Sequence, residues 1–235
     1  MSVAENIAHV RERIASAARR SGRNPDEITL IAVSKTVQPE LIHEAYNSGI
    51  RQFGESRVQE FAAKAEALTD LIDADWHMIG HLQTNKASNA VKLFNSVDSV
   101  DSLRLAEKLN SEAEKFGKKL PVLIEINIGR ETAKQGLTTD SLELEELLQT
   151  APQFDHLDFR GLMTVPPFTD DPEQTKPYFR KLRDLRDKIA SRHMASLRMY
   201  VLSMGMSHDF EIAIEEGSTC VRIGTAIFGE RLSVT

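Results

Sequence analysis

Lys35 follows directly on the apolar run of residues 28–33, in the string ITLIAVSKT. Ile28, Leu30, Ile31, Ala32 and Val33 read as a buried strand. A lysine at the C-terminal end of such a strand has little apolar reason to be there. A partly desolvated amine loses basicity, and in its neutral form it attacks a carbonyl carbon to give a Schiff base. Taken alone, the string is better explained by an exposed lysine that closes a strand. The rest of the chain reverses that balance. In LSMGMSHDF, Gly205 permits a tight turn and Ser207 can cap the helix that follows. In VRIGTAIFGER, Gly224 and Thr225 can open another helix. Helix starts of this composition bind phosphate through free backbone N–H groups, although ordinary helix caps use the same residues.

The elements that must position these residues alternate along the chain. Short apolar runs predict strands at 28–33, 50–53, 76–79, 93–97, 122–126, 157–162, 197–202 and 220–223. Helical patterns fall between them, at 39–48, 58–68, from 85 to 91, 102–116, 141–149, 172–190 and 208–216. Val3, Ile7, Val10 and Ile14 mark an extra helix before the first strand. Eight strands interleaved with helices predict an α/β fold, a single (β/α)8 TIM barrel over residues 1–235. A doubly wound open sheet is the alternative. In a barrel, catalytic and binding side chains gather where the strands end, and the common phosphate site follows strands seven and eight. Both glycine-containing loops fall there. Strand ends also collect Ser34, Glu55, His77, Asn85, Ser96, Asp98, Asn127, Thr164 and Ser203. Of these, Glu55, Ser96 and Asp98 are explained simply as polar residues that any strand end requires.

Arg222 lies one residue before Ile223 in the last strand, so it alternates against its neighbours. An arginine turned toward a barrel rim needs an acceptor, because a lone buried charge is costly. A carboxylate or a ligand would serve. A Schiff-base lysine, a phosphate cradle and an inward arginine together point to pyridoxal phosphate.

Bulk properties narrow the classes. Lys and Arg number 29 against 35 Asp and Glu, a net charge of −6 that argues against non-specific nucleic-acid binding. The single cysteine, Cys220, excludes an intrachain disulfide and is expected as a buried thiol. Nothing has the spacing of a Cys/His metal site. The opening helix is charged and amphipathic, unlike a secretory signal. No apolar run approaches the ~18 residues of a membrane span. A cytoplasmic protein without a membrane partner is expected, and a monomer, since no long exposed apolar stripe is evident. The charged segment 176–188 is expected to be a solvated helix face.

Six strings, in order, carry a resemblance: AVSKT, FGESRVQE, WHMIGHLQTNK, GLMTVPP, LSMGMSHDFEIAIEEGST and VRIGTAIFGER. Over essentially its whole length the chain resembles the pyridoxal phosphate homeostasis proteins, single-domain relatives of the alanine racemase barrel in fold-type III. The resemblance implies that Lys35 carries pyridoxal 5'-phosphate as a Schiff base. It implies that Ser207, Gly224 and Thr225 hold the phosphate, with backbone groups of Gly205 and Met206 nearby. Arg222 would face the pyridine nitrogen and disfavour its protonation by like-charge repulsion. Asn85, His77 and Met204 would line the pocket. The chain departs from the family at Ser56-Arg57, where an asparagine and an aromatic residue are usual, so no role is carried onto those two positions.

The same resemblance separates binding from turnover. An alanine racemase takes its second base, usually a tyrosine, from an added C-terminal β-domain and a partner subunit. Here the eighth strand is followed by little more than Thr235, and of the three tyrosines, Tyr46, Tyr178 and Tyr200, the last two are not expected at the rim. A protein that holds the cofactor, limits its free aldehyde and delivers it to apo-enzymes is the preferred reading. A weak amino-acid racemase or decarboxylase of the same fold is the alternative. A Schiff-base aldolase acting on a phosphorylated sugar is third, since it has no need of Arg222.

Overall fold

A computed structural model describes residues 1–194 and 196–230. Eight parallel strands close into a barrel in sequence order: β1 (Thr29–Val33), β2 (Gln52–Glu55), β3 (Asp75–Met78), β4 (Ser96–Val100), β5 (Leu120–Glu125), β6 (Leu157–Met163), β7 (Leu197–Ser203) and β8 (Cys220–Ile223). The closing pair joins β1 to β8, with Ile31 opposite Arg222 and Ala32 opposite Ile223.

The period-two alternation of a strand divides these residues between two environments. Ala32, Phe53, Met78, Ile124, Leu162, Leu202 and Ile223 pack outward into the layer under the helices. Ile31, Val33, Leu123, Met163 and Cys220 are equally buried but lie outside that layer, in the lumen. Cys220 is a buried free thiol, as its apolar run predicts, and burial pushes its pKa up to about 12.

The helices are α1 (Val3–Arg20), α2 (Pro39–Asn47), α3 (Val58–Lys64), α4 (Ala87–Leu93), α5 (Leu103–Lys115), α6 (Leu142–Thr150), α7 (Lys176–Ala190), α8 (Phe210–Glu215) and α9 (Thr225–Phe228). The extra helix α1 starts on a capping box between Ser2 and Glu5 and buries Val3, Ile7, Val10 and Ile14. It packs on α8 and α9. The Asn6 amide donates to the Ile227 carbonyl at 2.8 Å, and Arg13 pairs with Glu211 at 2.7 Å. Helix α1 therefore braces the two helices that follow strands seven and eight. In α7, Phe179, Leu182 and Ile189 are buried and the charged residues form the outer face.

The second and fourth strands differ most from expectation. The fourth runs over Ser96–Val100 rather than 93–97, because Leu93 ends α4 and Phe94 packs its ring 4.9 Å from that of Phe61. A short apolar run shared by a helix end and a strand start carries no period that separates them. The second begins at Gln52 rather than Ile50 and reaches Glu55. Among the described residues no helix is long and apolar enough to cross a membrane.

Candidate functional site

Lys35 stands in the turn immediately beyond β1, half-buried. The Ser34 N–H still donates to the Gly54 carbonyl at 2.9 Å, so the strand pairing runs up to the lysine. The alternation that turns Ile31 and Val33 into the lumen carries Lys35 to the rim on the same side. Thr36 then reverses the chain with φ of 62°. Ala32 is level with Ile223, so Lys35 and the segment Gly224-Thr225 leave neighbouring strands at the same rim.

The two loops singled out for phosphate meet at that rim. Ser207 Oγ accepts the Ala226 N–H at 3.2 Å, tying the loop after β7 to the first turn of α9. The Gly205 carbonyl accepts the Arg222 N–H at 3.0 Å. Gly205 has φ of +96°, and a Cβ there would meet the Ala213 Cβ at 2.6 Å. Only glycine lets the loop lie this close on α8. Buried Asp209 shapes the same loop by accepting the Met206 N–H at 2.7 Å. Burial raises the Asp209 pKa, against the lowering effects of that hydrogen bond and of Arg222. Ser207 and Gly224 are half-buried and Thr225 is exposed, so this part of the rim reaches solvent.

Arg222 lies across the lumen beneath this rim, 3% exposed. Its hydrogen-bond partners within the protein are a hydroxyl and a carbonyl rather than a carboxylate: it donates to Ser203 Oγ at 2.6 Å and to the Thr164 carbonyl at 2.7 Å. Burial pulls its pKa down, while Cys220, Asp98, Glu125 and Asp209 act the other way. Glu125 ends β5, in the alternation that turns Leu123 inward. Its Oε2 is buried without a hydrogen-bond partner among the described residues. Burial and the nearby Asp101 push its pKa up to about 7. Sequence reasoning passed over Glu125; the signal was a lone charge at an inward position of an otherwise apolar strand, VLIEINI. It also passed over Lys64, and it explained Glu55 as a mere strand end. Glu55 is fully buried and pairs with Lys64 at 2.8 Å.

Three residues expected in the pocket lie elsewhere. His77 points into the lumen, but toward the opposite mouth. Its cavity of about 420 Å³ is also lined by Glu27, Thr29, Pro121 and Thr219, which precede or open their strands. Asn85 sits in an exposed groove with Arg104 and Glu107 of α5, because the chain turns through a short 3-10 segment before α4. Met204 falls on the outward side of the alternation and packs in the layer under the helices. Arg57 is exposed at the start of α3, and Ser56 lies so close to Gly80 that a Cβ on Gly80 would meet the Ser56 carbonyl oxygen at 2.4 Å.

The residues that do converge are Lys35, Gly205, Met206, Ser207, Arg222, Gly224 and Thr225. An amine beside two glycine-bearing loops that lead into helices fits a ligand bearing both a carbonyl and a phosphate.

Comparison with known proteins points the same way. Residues 5–232 match the family described as alanine racemase, N-terminal domain. The pyridoxal phosphate homeostasis protein of Aquifex aeolicus (strain VF5) is 46% identical over 231 residues, covering 98% of this chain and 99% of its own length. PipY of Synechococcus elongatus PCC7942, solved with PLP bound, has a TM-score of 0.84 at 36% identity and covers 97% of this chain and 100% of that one. An alanine racemase of Clostridium difficile 630 has a TM-score of 0.69 at 17% identity, over 98% of this chain and 58% of that one, which is a likeness of fold.

Proposed function

Since the chain belongs to the alanine racemase N-terminal-domain family, and within it to the pyridoxal phosphate homeostasis proteins, we propose that it binds pyridoxal 5'-phosphate as a Schiff base on Lys35, limits the free aldehyde and hands the cofactor to apo-enzymes. The observation that carries this reading is the meeting of the Lys35 turn with the Ser207–Ala226 tie at one rim. When bound, pyridoxal phosphate supplies an aldehyde carbon and an aromatic ring that stabilises negative charge. Lys35 would supply the amine that holds the cofactor through that carbon. Ser207, Gly224 and Thr225 hold the phosphate, and the backbone at Gly205 and Met206 shapes its seat. Arg222, fixed by Ser203 and Thr164, would face the ring nitrogen and, as a like charge, disfavour its protonation. An unprotonated ring withdraws electrons weakly, which suits holding and release better than bond cleavage.

Borohydride reduction followed by peptide mass analysis tests the anchor. A pyridoxyl-phosphate adduct on the Lys35 peptide, lost in Lys35→Ala, is expected. An adduct of unchanged yield in Lys35→Ala, or none in wild type under excess cofactor, overturns it. The reading makes the protein a cytoplasmic monomer that meets its recipients in solution. Light scattering that returned a stable dimer would remove the monomer.

One observation favours a second reading, a weak fold-type III racemase or decarboxylase. Glu125 holds a near-neutral carboxyl in the lumen close enough to feel Arg222, where it can accept or return a proton. Loss of optical activity in a panel of amino acids, abolished in Glu125→Gln, would favour the enzyme over the carrier.

A further inference from the structure

We propose that Glu55, Glu60 and Lys64 are positioning residues that set where the Lys35 amine stands at the barrel rim, by gripping the peptide groups on either side of it from outside the barrel. The inference rests on the reading of Lys35 as the cofactor anchor.

On the N-terminal side, the Ser34 carbonyl accepts Lys64 Nζ at 2.8 Å, and the Ser34 hydroxyl donates to Glu55 Oε1 at 2.5 Å. On the C-terminal side, the Thr36 N–H donates to Glu60 Oε1 at 2.5 Å. Lys64 closes the set, 2.8 Å from Glu55 and 3.6 Å from Glu60. Glu60 and Lys64 are one helical turn apart, on the face of α3 turned to β1 and β2. Glu55 supplies the third arm from the last residue of β2.

Two physical arguments give this arrangement a purpose beyond holding α3 on the barrel. First, the desolvation of Glu55 and Lys64 cancels most of their mutual attraction, and an apolar pair of similar volume would pack there at least as well. An apolar pair could not hydrogen-bond to Ser34 or Lys64's other acceptors, so the charges are explained by what they grip. Second, Thr36 occupies the left-handed region at φ of 62°. A residue with a Cβ persists there only where its surroundings impose it. Glu60 on its N–H, and its own hydroxyl donating to the Lys35 carbonyl at 2.6 Å, are those constraints. A lysine side chain has a long flexible stem. Fixing both flanking peptides sets its origin and direction, and small misplacements of a reacting group are costly.

The test uses Glu55→Gln/Lys64→Met, which removes both charges together and leaves no lone buried ion. Folding is checked by circular dichroism and thermal midpoint. Two readouts follow: pyridoxal phosphate affinity from absorbance titration, and the rate of Lys35 reductive methylation by formaldehyde without cofactor. A purely structural role moves the midpoint alone. The proposal expects affinity about tenfold weaker and a changed methylation rate at Lys35 but not at exposed Lys119. Lys64→Arg should restore wild-type behaviour. If the double variant does not fold, Glu60→Ala releases the Thr36 N–H and the longer contact with Lys64, and should weaken binding about threefold, in line with one hydrogen bond. A folded variant with unchanged affinity and unchanged Lys35 methylation overturns the proposal. If wild type takes up no cofactor, the functional reading fails by itself, and the methylation rates still decide the positioning role.

Discussion

At the N-terminal mouth of the barrel, polar groups saturate one another. His77 directs Nδ1 to Asp98 Oδ2 at 3.0 Å and Nε2 to Gln52 Oε1 at 2.7 Å, while Ser96 Oγ donates to the other Asp98 oxygen at 2.8 Å. Gln52 completes the chain by donating to Asp75 at 2.9 Å. Burial works against a charged imidazole, but Asp98 outweighs it and the His77 pKa is raised. At the C-terminal mouth the pattern is the reverse. Glu125 keeps a buried oxygen without a partner among the described residues, and Ser207, Gly224 and Thr225 reach solvent. Arg222 lies between the two mouths, influenced by Asp98 below and by Glu125 and Asp209 above. Both mouths are equally rich in chemistry-bearing residue types. What distinguishes a site from filling is whether its hydrogen-bonding capacity is already spent within the protein.

If that contrast is right, the N-terminal network belongs to stability and the C-terminal rim to binding. The largest effect is expected from Asp98→Ala. It removes one member of a buried, paired set, and the loss should be about 3–5 kcal/mol in urea unfolding. Pyridoxal phosphate affinity, measured where the variant is still folded, should stay within a factor of about two, since distant sites act additively. A large loss of affinity would join the two mouths into one functional unit. Glu125→Gln should act in the opposite sense. The folded pKa of Glu125, about 7, lies above its ordinary 4.5. Stability from this carboxyl is therefore fully present below pH 4.5 and is lost as pH rises through 7. The total is on the order of 3 kcal/mol. Glutamine removes that slope, so apo-protein unfolding curves should favour the variant at pH 8 far more than at pH 5. Parallel pH profiles for the two proteins would show that the Glu125 carboxyl is not held neutral by its surroundings.

The sequence made the barrel, the strand-end lysine and the two glycine-bearing loops that meet at its rim legible because each follows from a local pattern. Lys35 closes an apolar run, and Gly205 and Gly224 open turns into helices. His77, Asn85 and Met204 were misplaced for a different reason. Residue type and proximity to a strand end do not say toward which mouth, or which side of the alternation, a side chain turns. His77 is inward but faces the N-terminal cavity, whereas Met204 is outward. The pairing of Glu55 with Lys64 was not legible because it joins a strand end to a helix nine residues on, a contact that only the packing of α3 on β2 creates.

The smallest effect sharpens the C-terminal side of the contrast. Gly205→Ala adds one methyl group at φ of +96°, where it would meet the Ala213 Cβ at 2.6 Å and the Phe210 Cα at 2.9 Å. A left-handed alanine costs roughly 1–2 kcal/mol, and relieving the contact with α8 requires the loop to lift away. The lift carries Ser207 from the Ala226 N–H, so the two loops separate while the Lys35 turn, held from β2 and α3, is untouched. Inorganic phosphate should then protect the variant less than wild type against thermal unfolding. Lys35 methylation by formaldehyde should proceed at the wild-type rate. Equal protection by phosphate in the two proteins would move the phosphate seat away from the Gly205 loop and leave the start of α9 to hold it alone.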